Sequence, residues 1–438
     1  MSAVSEPTSD FYDAIECAPR EELEALQLTL LRATVARVLE RVPAGAARLR
    51  EGGVTGAEDI GSLADLRSVP FTTKADLREH YPFGLLAVPR EELVRVHASS
   101  GTGGKPTVVG YTRHDLEDVW AAVMARAMHA AGVRPGMVVH NAYGYGLFTG
   151  GLGFHQGAER LGATVVPVSG GMTARQVLLL GDLGGQALCC TPSYALNIAQ
   201  AIRDAGVDPA GLRLEVGLFG AEPWTEAMRA QIERELGLKA VNFYGLSEIV
   251  GPGVSAECAA ARDGLHVNED HFLVEVVDPE TSAVLPPGQE GELVFTTLTK
   301  EALPLVRYRT RDIASLTFEP CACGRTLARM SAVRGRHDDM LIIRGVNLYP
   351  SEVEQVLLGV DGVAPHYQLV IDRPRTMDEL TVHCEPADEA TDGSELADRV
   401  RRALQERTGI MVGVALFAPG SVPRSEGKAV RVVDRRGA

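Results

Sequence analysis

The chain has 438 residues, of which 45% are hydrophobic and 23% are charged, as is usual for globular proteins. This composition excludes a collagen-like chain, a coiled-coil rod and wholesale disorder, and the length predicts several domains or one large domain with a smaller one. With 43 Lys and Arg residues against 58 Asp and Glu residues, the formal net charge of −15 argues against nucleic acid or an anionic membrane surface as a partner.

The cysteine content and the N-terminal segment indicate the compartment. Seven cysteines in a chain of this length do not make a disulfide scaffold, and reduced thiols in a cytosolic protein fit them best. The N-terminus is acidic and polar through Glu16 and lacks the basic and apolar regions of a signal peptide. The apolar runs are shorter than the roughly 18–20 residues that a membrane span requires. We therefore expect a soluble, cytoplasmic protein without a membrane partner.

The first part of the chain has the pattern of an α/β domain. Leu and Val residues recur at helical spacing over residues 21–42, and Pro43 is expected to end that helix. From about residue 90 to about residue 250, short β-rich runs alternate with helix-like segments, which favours largely parallel strands. The predicted strands are 137–140, 164–168 and 215–219, and the predicted helices are 115–131, 173–180 and 225–236.

The pattern changes twice in the rest of the chain. Residues 265–318 predict an antiparallel, β-rich subdomain, with strands at 271–277, 291–297 and 313–318. The last hundred residues predict a compact α+β unit. One predicted helix begins near Pro350, and a second spans 394–408. The predicted strands are 340–343, 367–371, 380–384 and 413–417. The predicted fold is therefore α/β, with a large N-terminal domain (1–337) that holds parallel sheets and a β-rich subdomain, and a small α+β C-terminal domain (338–438).

A glycine-rich loop over residues 98–107 indicates a phosphate-binding function. Its small residues let backbone N–H groups approach an anion, and its lysine supplies a point charge. A Walker A loop is excluded, because position 99 is Ser and because Pro106 follows the lysine where Ser or Thr is needed. A flexible surface linker is the alternative, but apolar residues flank the loop as in two strands. The candidate phosphate-binding residues are Ser99, Ser100, Gly101, Thr102, Gly103, Gly104 and Lys105.

Residues 244–248 combine an aromatic ring, a hydroxyl and a carboxylate. The ring of Tyr244 can stack on a base, Ser247 can donate to a phosphate oxygen, and Glu248 is a suitable Mg²⁺ ligand. A capped turn with a buried tyrosine explains the pattern equally well when it is taken alone. Residues 220–222 directly follow a predicted strand, where open α/β sheets bind ligands.

Three aromatic residues, Tyr143, Tyr145 and Phe148, lie close together in a chain that is only 5% aromatic. With Gly150 beside them, they predict a flat apolar slot for an aryl acid, in which His155 could contact a ring substituent. Packing in the core is the alternative.

Three cysteines and one histidine form a possible metal set. Cys258, His266, Cys321 and Cys323 together offer the Cys₃His ligands of a structural zinc site. Free thiols in a turn are the alternative, because the spacing of the second pair is tighter than in most zinc sites.

The loop and several other segments resemble the adenylate-forming enzymes, and more narrowly the phenylacetate-CoA ligases. The matching segments occur in the expected order over nearly the whole chain. One departure is Gly103, where the family commonly has Thr, and it leaves the size and the lysine of the loop unchanged. Besides the loop, the matching segments are Pro70–Leu77, Tyr143–Gly151, Phe219–Trp224, Tyr244–Glu248, Arg307–Asp312 and Gly335–Asp339.

The resemblance implies a role for several residues. The loop would hold the outer phosphates of ATP, Asp312 the ribose hydroxyls, and Arg336 another part of the nucleotide. Asp338 would be the hinge of a mobile C-terminal domain, and Lys428 would bridge the attacking carboxylate and the α-phosphate. The residues that would line the adenine and acid pockets are Gly220, Ala221, Glu222, Tyr244 and Gly245.

The activity implied by the resemblance is that of an ATP-dependent aryl acid:CoA ligase, an AMP-forming acid–thiol ligase. It would form an aryl-AMP and then an aryl-CoA thioester, using ATP, Mg²⁺ and CoA, and the resemblance also implies a homodimer. Two alternatives stay open: an adenylating enzyme that loads a carrier protein or a nitrogen nucleophile, and a non-catalytic adenylate-binding protein. The presence of Lys428, Glu248 and Asp312 argues against the second.

Overall fold

A computed structural model describes residues 11–99, 105–343, 346–373, 378–388, 393–425 and 429–436. Its N-terminal segment is helical, with α1 (Arg20–Arg41), α2 (Pro43–Glu51) and α3 (Lys74–Glu79). The predicted first helix is confirmed, and its Leu and Val residues face the core. Pro43 does more than end it: the proline begins α2, because its fixed φ suits the first position of a helix.

A two-stranded antiparallel hairpin follows and flanks the glycine-rich loop. It consists of β1 (Arg95–Ser99) and β2 (Thr107–Tyr111), with Ser99 opposite Thr107. The prediction that the loop joins two strands is confirmed.

A nine-stranded sheet forms the centre of the large domain. Five of its strands are parallel, in the order β4-β3-β5-β6-β7, and β8 and β9 continue it antiparallel. The predicted α/β alternation is confirmed. These strands are β3 (Val138–Asn141), β4 (Thr164–Val166), β5 (Ala187–Cys190), β6 (Val216–Gly220), β7 (Lys239–Leu246), β8 (Gly251–Glu257) and β9 (Leu265–Val267).

Helices connect the strands of this sheet. The predicted helix over 115–131 is present, although its first six residues, Asp115–Trp120, are π-helical. The helices are α4 (Ala121–Ala130), α5 (Gly150–Leu161), α6 (Thr173–Asp182), α7 (Pro192–Asp204) and α8 (Glu226–Leu236).

The β-rich subdomain is a four-stranded sheet, β10-β11-β12-β15, whose neighbours are all antiparallel. The large sheet receives β13 and β14 at its edge, next to β9. The strands are β10 (Phe272–Val277), β11 (Gly291–Thr297), β12 (Tyr308–Ala314), β13 (Leu316–Thr317), β14 (Arg329–Met330) and β15 (Gly335–Arg336).

The prediction of one strand over 313–318 is wrong, because the chain leaves one sheet and enters the other within that range. β12 begins earlier, at Tyr308, in a segment whose charges hide its strand character. Ion pairs neutralise those charges: Arg307 pairs with Glu275 at 3.0 Å and Arg309 with Glu292 at 2.5 Å.

The C-terminal domain has its own hydrophobic core between two helices and a four-stranded sheet, β20-β19-β18-β21. β18 and β19 are antiparallel, and each pairs in parallel with an outer strand. The predicted α+β unit is confirmed, although β17 and β21 were not predicted. The elements are β16 (Leu341–Ile343), β17 (Val346–Leu348), α9 (Pro350–Leu358), β18 (Val363–Asp372), β19 (Glu379–Pro386), α10 (Gly393–Thr408), β20 (Gly413–Leu416) and β21 (Val432–Asp434).

Within the described ranges, none of the helices combines the length and the apolar composition that crossing a bilayer requires.

Candidate active site

The hairpin β1–β2 presents the ends of the glycine-rich loop, whose residues Ser100, Gly101, Thr102, Gly103 and Gly104 lie outside the described residues. The hydroxyls of Ser99 and Thr107 are buried and have no hydrogen-bond partner among the described residues. A buried hydroxyl without a partner is costly. The pair therefore fits a bound group that is rich in oxygen acceptors, such as a triphosphate.

Glu248 follows the end of β7 and is only 6% exposed. The Nζ atom of Lys74 lies 3.6 Å from its Oε1 atom, and Lys300 donates to its backbone oxygen at 3.2 Å. Burial lowers the pKa of Lys300 to about 8, although Asp115 and Glu248 favour its charged form. A carboxylate oxygen is the kind of hard ligand that Mg²⁺ prefers, whereas the two ammonium groups oppose a cation, so the residue type and not this pairing supports a role in Mg²⁺ binding.

The other residues of this segment are fixed by short contacts. The hydroxyls of Ser247 and Thr149 are hydrogen-bonded at 3.0 Å. A Cβ atom on Gly245 would lie 2.0 Å from the backbone oxygen of Gly251, so the close approach of β7 to β8 requires glycine.

Asp312 lies next to Tyr244 and Arg336. The hydroxyl of Tyr244 donates to Oδ2 of Asp312 at 2.6 Å, and Nε of Arg336 lies 3.9 Å from Oδ1. Burial and the Asp312 carboxylate raise the pKa of Tyr244 well above its usual value, so the phenol keeps its proton and donates it. The structure thus unites three residues that are far apart in the sequence and that the family resemblance assigns to the nucleotide.

Residues Gly220, Ala221 and Glu222 lie where β6 ends. A Cβ atom on Gly220 would lie 2.1 Å from the backbone oxygen of Phe243, so only glycine fits. Ala221 has φ = 70°, a strained left-handed conformation of the kind that clusters at functional sites. The carboxylate of Glu222 accepts hydrogen bonds from the backbone amides of Ser193 at 2.8 Å and of Ala429 at 2.9 Å. Glu222 therefore contacts the C-terminal domain directly.

The predicted aromatic slot divides into a buried and an accessible part. Tyr143 is 4% exposed and stacks on Phe154 with ring centroids 4.8 Å apart, so its ring belongs to the core, the alternative that the sequence left open. Phe148 is 46% exposed and lies against Gly150, where a Cβ atom would be 2.5 Å from its ring.

Tyr145 and His155 belong to one chain of hydrogen bonds. Asn141 donates to the Tyr145 hydroxyl at 2.8 Å, and that hydroxyl lies 3.2 Å from Nδ1 of His155. Nε2 of His155 lies 3.1 Å from Glu159. If Nε2 carries the proton, the Tyr145 hydroxyl donates to His155, and the tyrosine presents mainly its ring to the slot.

The four possible metal ligands come together in the structure, with their ligand atoms within 4.8 Å of one another. Cys258 directly follows β8, His266 lies on β9, and Cys321 and Cys323 lie in a turn. The sulfur atoms of Cys258 and Cys321 are 3.9 Å apart, and Sγ of Cys323 is 3.6 Å from Nε2 of His266. A tetrahedral zinc ion with Zn–S bonds of about 2.3 Å sets its ligand atoms roughly 3.5–3.8 Å apart. The four side chains therefore fit zinc.

Comparisons with known proteins agree with this geometry. Residues 23–298 match the model of the AMP-binding enzymes, and residues 345–436 match that of the AMP-binding enzyme C-terminal domain. The phenylacetate-coenzyme A ligase of Thermus thermophilus is 55% identical over 96% of this chain and 98% of its own. The ligases of the same name from Aromatoleum evansii and Escherichia coli are 50% and 48% identical, with at least 98% of each chain covered.

The chain belongs to the phenylacetate-CoA ligase family of AMP-binding enzymes. The resemblance seen in the sequence is thereby confirmed, as are the fold class and the assignment to the AMP-forming acid–CoA ligases.

Solved structures of a related ligase in two states superpose on this chain to different extents. The 2-hydroxyisobutyryl-CoA ligase in its postadenylation state, with an acyl-AMP bound, is 32% identical and superposes with a TM-score of 0.94 over 100% of this chain and 95% of its own. With CoA in its thioesterification state, the same ligase gives 0.74 at the same coverage. Over its whole length, this chain therefore superposes better on the postadenylation structure than on the thioesterification structure.

Two of the predicted residues belong to the proposed C-terminal domain. Asp338 falls in the single helical turn His337–Asp339, between β15 and β16. Lys428 lies outside the described residues, but Ser425 and Ala429 on either side of it contact the large domain.

Sequence reasoning missed Lys74 and Lys300, the two cations beside Glu248. Lys74 lies in a segment that carried the family resemblance, and that resemblance was the available signal for it. Lys300 lies between Thr299 and Glu301, where nothing in the local sequence distinguishes it from an exposed lysine.

Proposed function

We propose that the chain is an ATP-dependent aryl acid:CoA ligase of the phenylacetate-CoA ligase type. The acid carboxylate attacks the α-phosphate of ATP to give an aryl-AMP and pyrophosphate, and the thiolate of CoA then displaces AMP to give the thioester. The observation that carries the proposal is the end-to-end match, at 48–55% identity, with phenylacetate-coenzyme A ligases.

Different residues contribute to adenylation, the first step. Ser99, Lys105 and the loop between them bind the outer phosphates, and Glu248 holds Mg²⁺, which offsets phosphate charge when it is bound. Asp312, positioned by the Tyr244 hydroxyl, accepts the ribose hydroxyls. Lys428 offsets the negative charge that builds up at the α-phosphate.

We propose that the domain boundary lies at residues 337 and 338, with Asp338 as the hinge. In this proposal the small domain rotates between the two half-reactions. The support is the drop in TM-score, from 0.94 to 0.74, between two states of one related ligase.

We propose that Cys258, His266, Cys321 and Cys323 hold a structural zinc ion. The short S–S and S–N separations support it, and hydrogen bonding from Cys258 lowers the pKa of Cys323 to about 6, towards the thiolate that zinc requires. Such an ion would tie the end of β8 and the start of β9 to the turn at 321–323.

We also propose an acceptor, an assembly and a compartment for the enzyme. CoA is the proposed acceptor, a homodimer the proposed assembly and the cytoplasm the proposed compartment. All seven cysteines are free thiols, which agrees with a reducing environment. The homodimer rests on the family resemblance, and light scattering on the purified enzyme tests it.

The decisive experiment is a pyrophosphate-release screen with ATP, Mg²⁺ and a panel of acids: phenylacetate, benzoate, hydroxybenzoates, aminobenzoates and heteroaryl acids. We expect release with phenylacetate or a close relative, and an aryl-CoA product by mass spectrometry once CoA is added. Turnover with a carrier protein but not with CoA would reassign the acceptor. Failure to release pyrophosphate with every acid would contradict the proposed function.

A further inference from the structure

Two hydrogen bonds join the large domain to the segment that carries Lys428. The side-chain amide of Asn197 donates to the backbone oxygen of Ser425 at 2.5 Å, and the Glu222 carboxylate accepts from the backbone amide of Ala429 at 2.9 Å. The contacts lie on the two sides of Lys428. Both are made to backbone atoms, so they do not depend on the side chains at positions 425 and 429.

Helix α7 supports both of these hydrogen bonds. The amide of Ser193, in the first turn of the helix, donates to the other oxygen of Glu222 at 2.8 Å. Asn197 is four residues further on and therefore lies on the same face. The free N–H groups of a helix start suit a carboxylate, so α7 holds Glu222 in place and also supplies Asn197.

The segment is also tied to its own domain, but by different residues. The guanidinium of Arg424 pairs with the buried carboxylate of Glu385 at 2.8 Å, through two parallel contacts. This pair lies within the C-terminal domain and does not depend on where that domain sits. The contacts of Asn197 and Glu222, in contrast, cross between the domains and exist only while the domains are docked as they are here.

Apolar packing also joins the C-terminal domain to the large domain. Leu358 of α9 packs against the apolar cluster formed by α7 and α8. Glu354, also on α9, is 3% exposed and lies 3.6 Å from Arg431. The Leu358 contact therefore also joins the two domains, whereas the Glu354–Arg431 pair lies within the C-terminal domain.

We propose that Asn197 and Glu222 are positioning residues that hold the Lys428 segment for adenylation and release it for thioester formation. The inference rests on the proposed function and on the role proposed there for Lys428. Neither residue needs to touch the reacting atoms: their effect is exerted on the backbone on both sides of the lysine.

The test uses Asn197, because Glu222 is also a candidate pocket residue. Asn197→Ala removes the donor, and Asn197→Asp replaces it with an acceptor that repels the Ser425 oxygen. Gln200→Ala is the matched control, since Gln200 lies on the exposed face of the same helix and bonds to Asp204. Each full-length enzyme is assayed for pyrophosphate release without CoA, and for thioester formation from supplied aryl-AMP and CoA.

We expect Asn197→Ala to slow adenylation roughly tenfold, the loss that one hydrogen bond explains, and Asn197→Asp to slow it further. KM for ATP, thioester formation from supplied aryl-AMP and the thermal midpoint should stay unchanged, and Gln200→Ala should match the wild type. Equal losses in both half-reactions, or no loss in either, would overturn the inference while the wild-type activity still supports the proposed function. A wild type that releases no pyrophosphate would instead remove the proposed function itself.

Discussion

The two halves of the candidate active site are held in different ways. In the large domain, Glu248, Tyr244 and Asp312 are fixed by contacts within that domain, such as the 2.6 Å hydrogen bond between Tyr244 and Asp312. In the C-terminal domain, the segment around Lys428 meets the large domain through Asn197 and Glu222. In the proposed mechanism, the nucleotide site is preorganised, whereas the contribution of Lys428 depends on contacts between the two domains.

The largest expected effect is that of Lys428, the lysine proposed to assist adenylation. Lys428→Ala should slow adenylation by roughly 10²–10³-fold, because a positioned charge on the transition state is lost, and should spare thioester formation from supplied aryl-AMP. Lys239→Ala, at an exposed lysine at the start of β7, is the control. Equal loss in both half-reactions would remove the contrast between the two halves.

A different response is expected when the Glu248 carboxylate of the large domain is removed. Glu248→Gln should slow pyrophosphate release by about 10²-fold and raise the Mg²⁺ concentration needed for half-maximal rate, because a charged metal ligand is removed. The measurement is a magnesium titration of the initial rate. Glu290→Gln, at a side chain that is 53% exposed, is the control. An unchanged magnesium dependence would exclude Glu248 as the ligand.

A smaller effect is expected from the hydroxyl that positions Asp312. Tyr244→Phe should raise KM for ATP about tenfold, since Asp312 loses one hydrogen bond that orients it. The variant should also discriminate less between ATP and 2′-deoxy-ATP, because KM and this discrimination both depend on the contact between Asp312 and the ribose hydroxyls. Tyr12→Phe, far along the chain, should behave as the wild type. If discrimination is unchanged, the Tyr244 hydroxyl does not act through Asp312.

The smallest effect on turnover is expected at the cysteine cluster. Purified enzyme should contain about one zinc ion per chain, and Cys321→Ser should lose it and lower the thermal midpoint with little change in kcat, because the site is structural. Cys17→Ser, outside the cluster, should keep the metal. Elemental analysis below about 0.2 zinc per wild-type chain, without chelator treatment, would contradict the assignment.

Local pattern explains which parts of the fold could be predicted. The alternation of short strands and amphipathic helices predicted the α/β domain, and β11 was placed at its observed bounds, Gly291–Thr297. The start of β12 was misplaced because the charges of Arg307 and Arg309 interrupt the apolar pattern that predicts a buried strand. Only the tertiary structure supplies Glu275 and Glu292, which neutralise them and allow the strand to be buried.

The sequence by itself determined the order of segments that marks the family and supplied the candidate groups: a glycine-rich loop with one lysine, the Glu248 carboxylate and a Cys₃His set. These features are local, so residue type and spacing carry them. The tertiary structure decided which distant groups meet. Ala429 and Glu222 are 207 positions apart, and Ser425 and Asn197 are 228 positions apart. Contacts over such separations depend on how two folded domains pack, since no local pattern links the residues that make them.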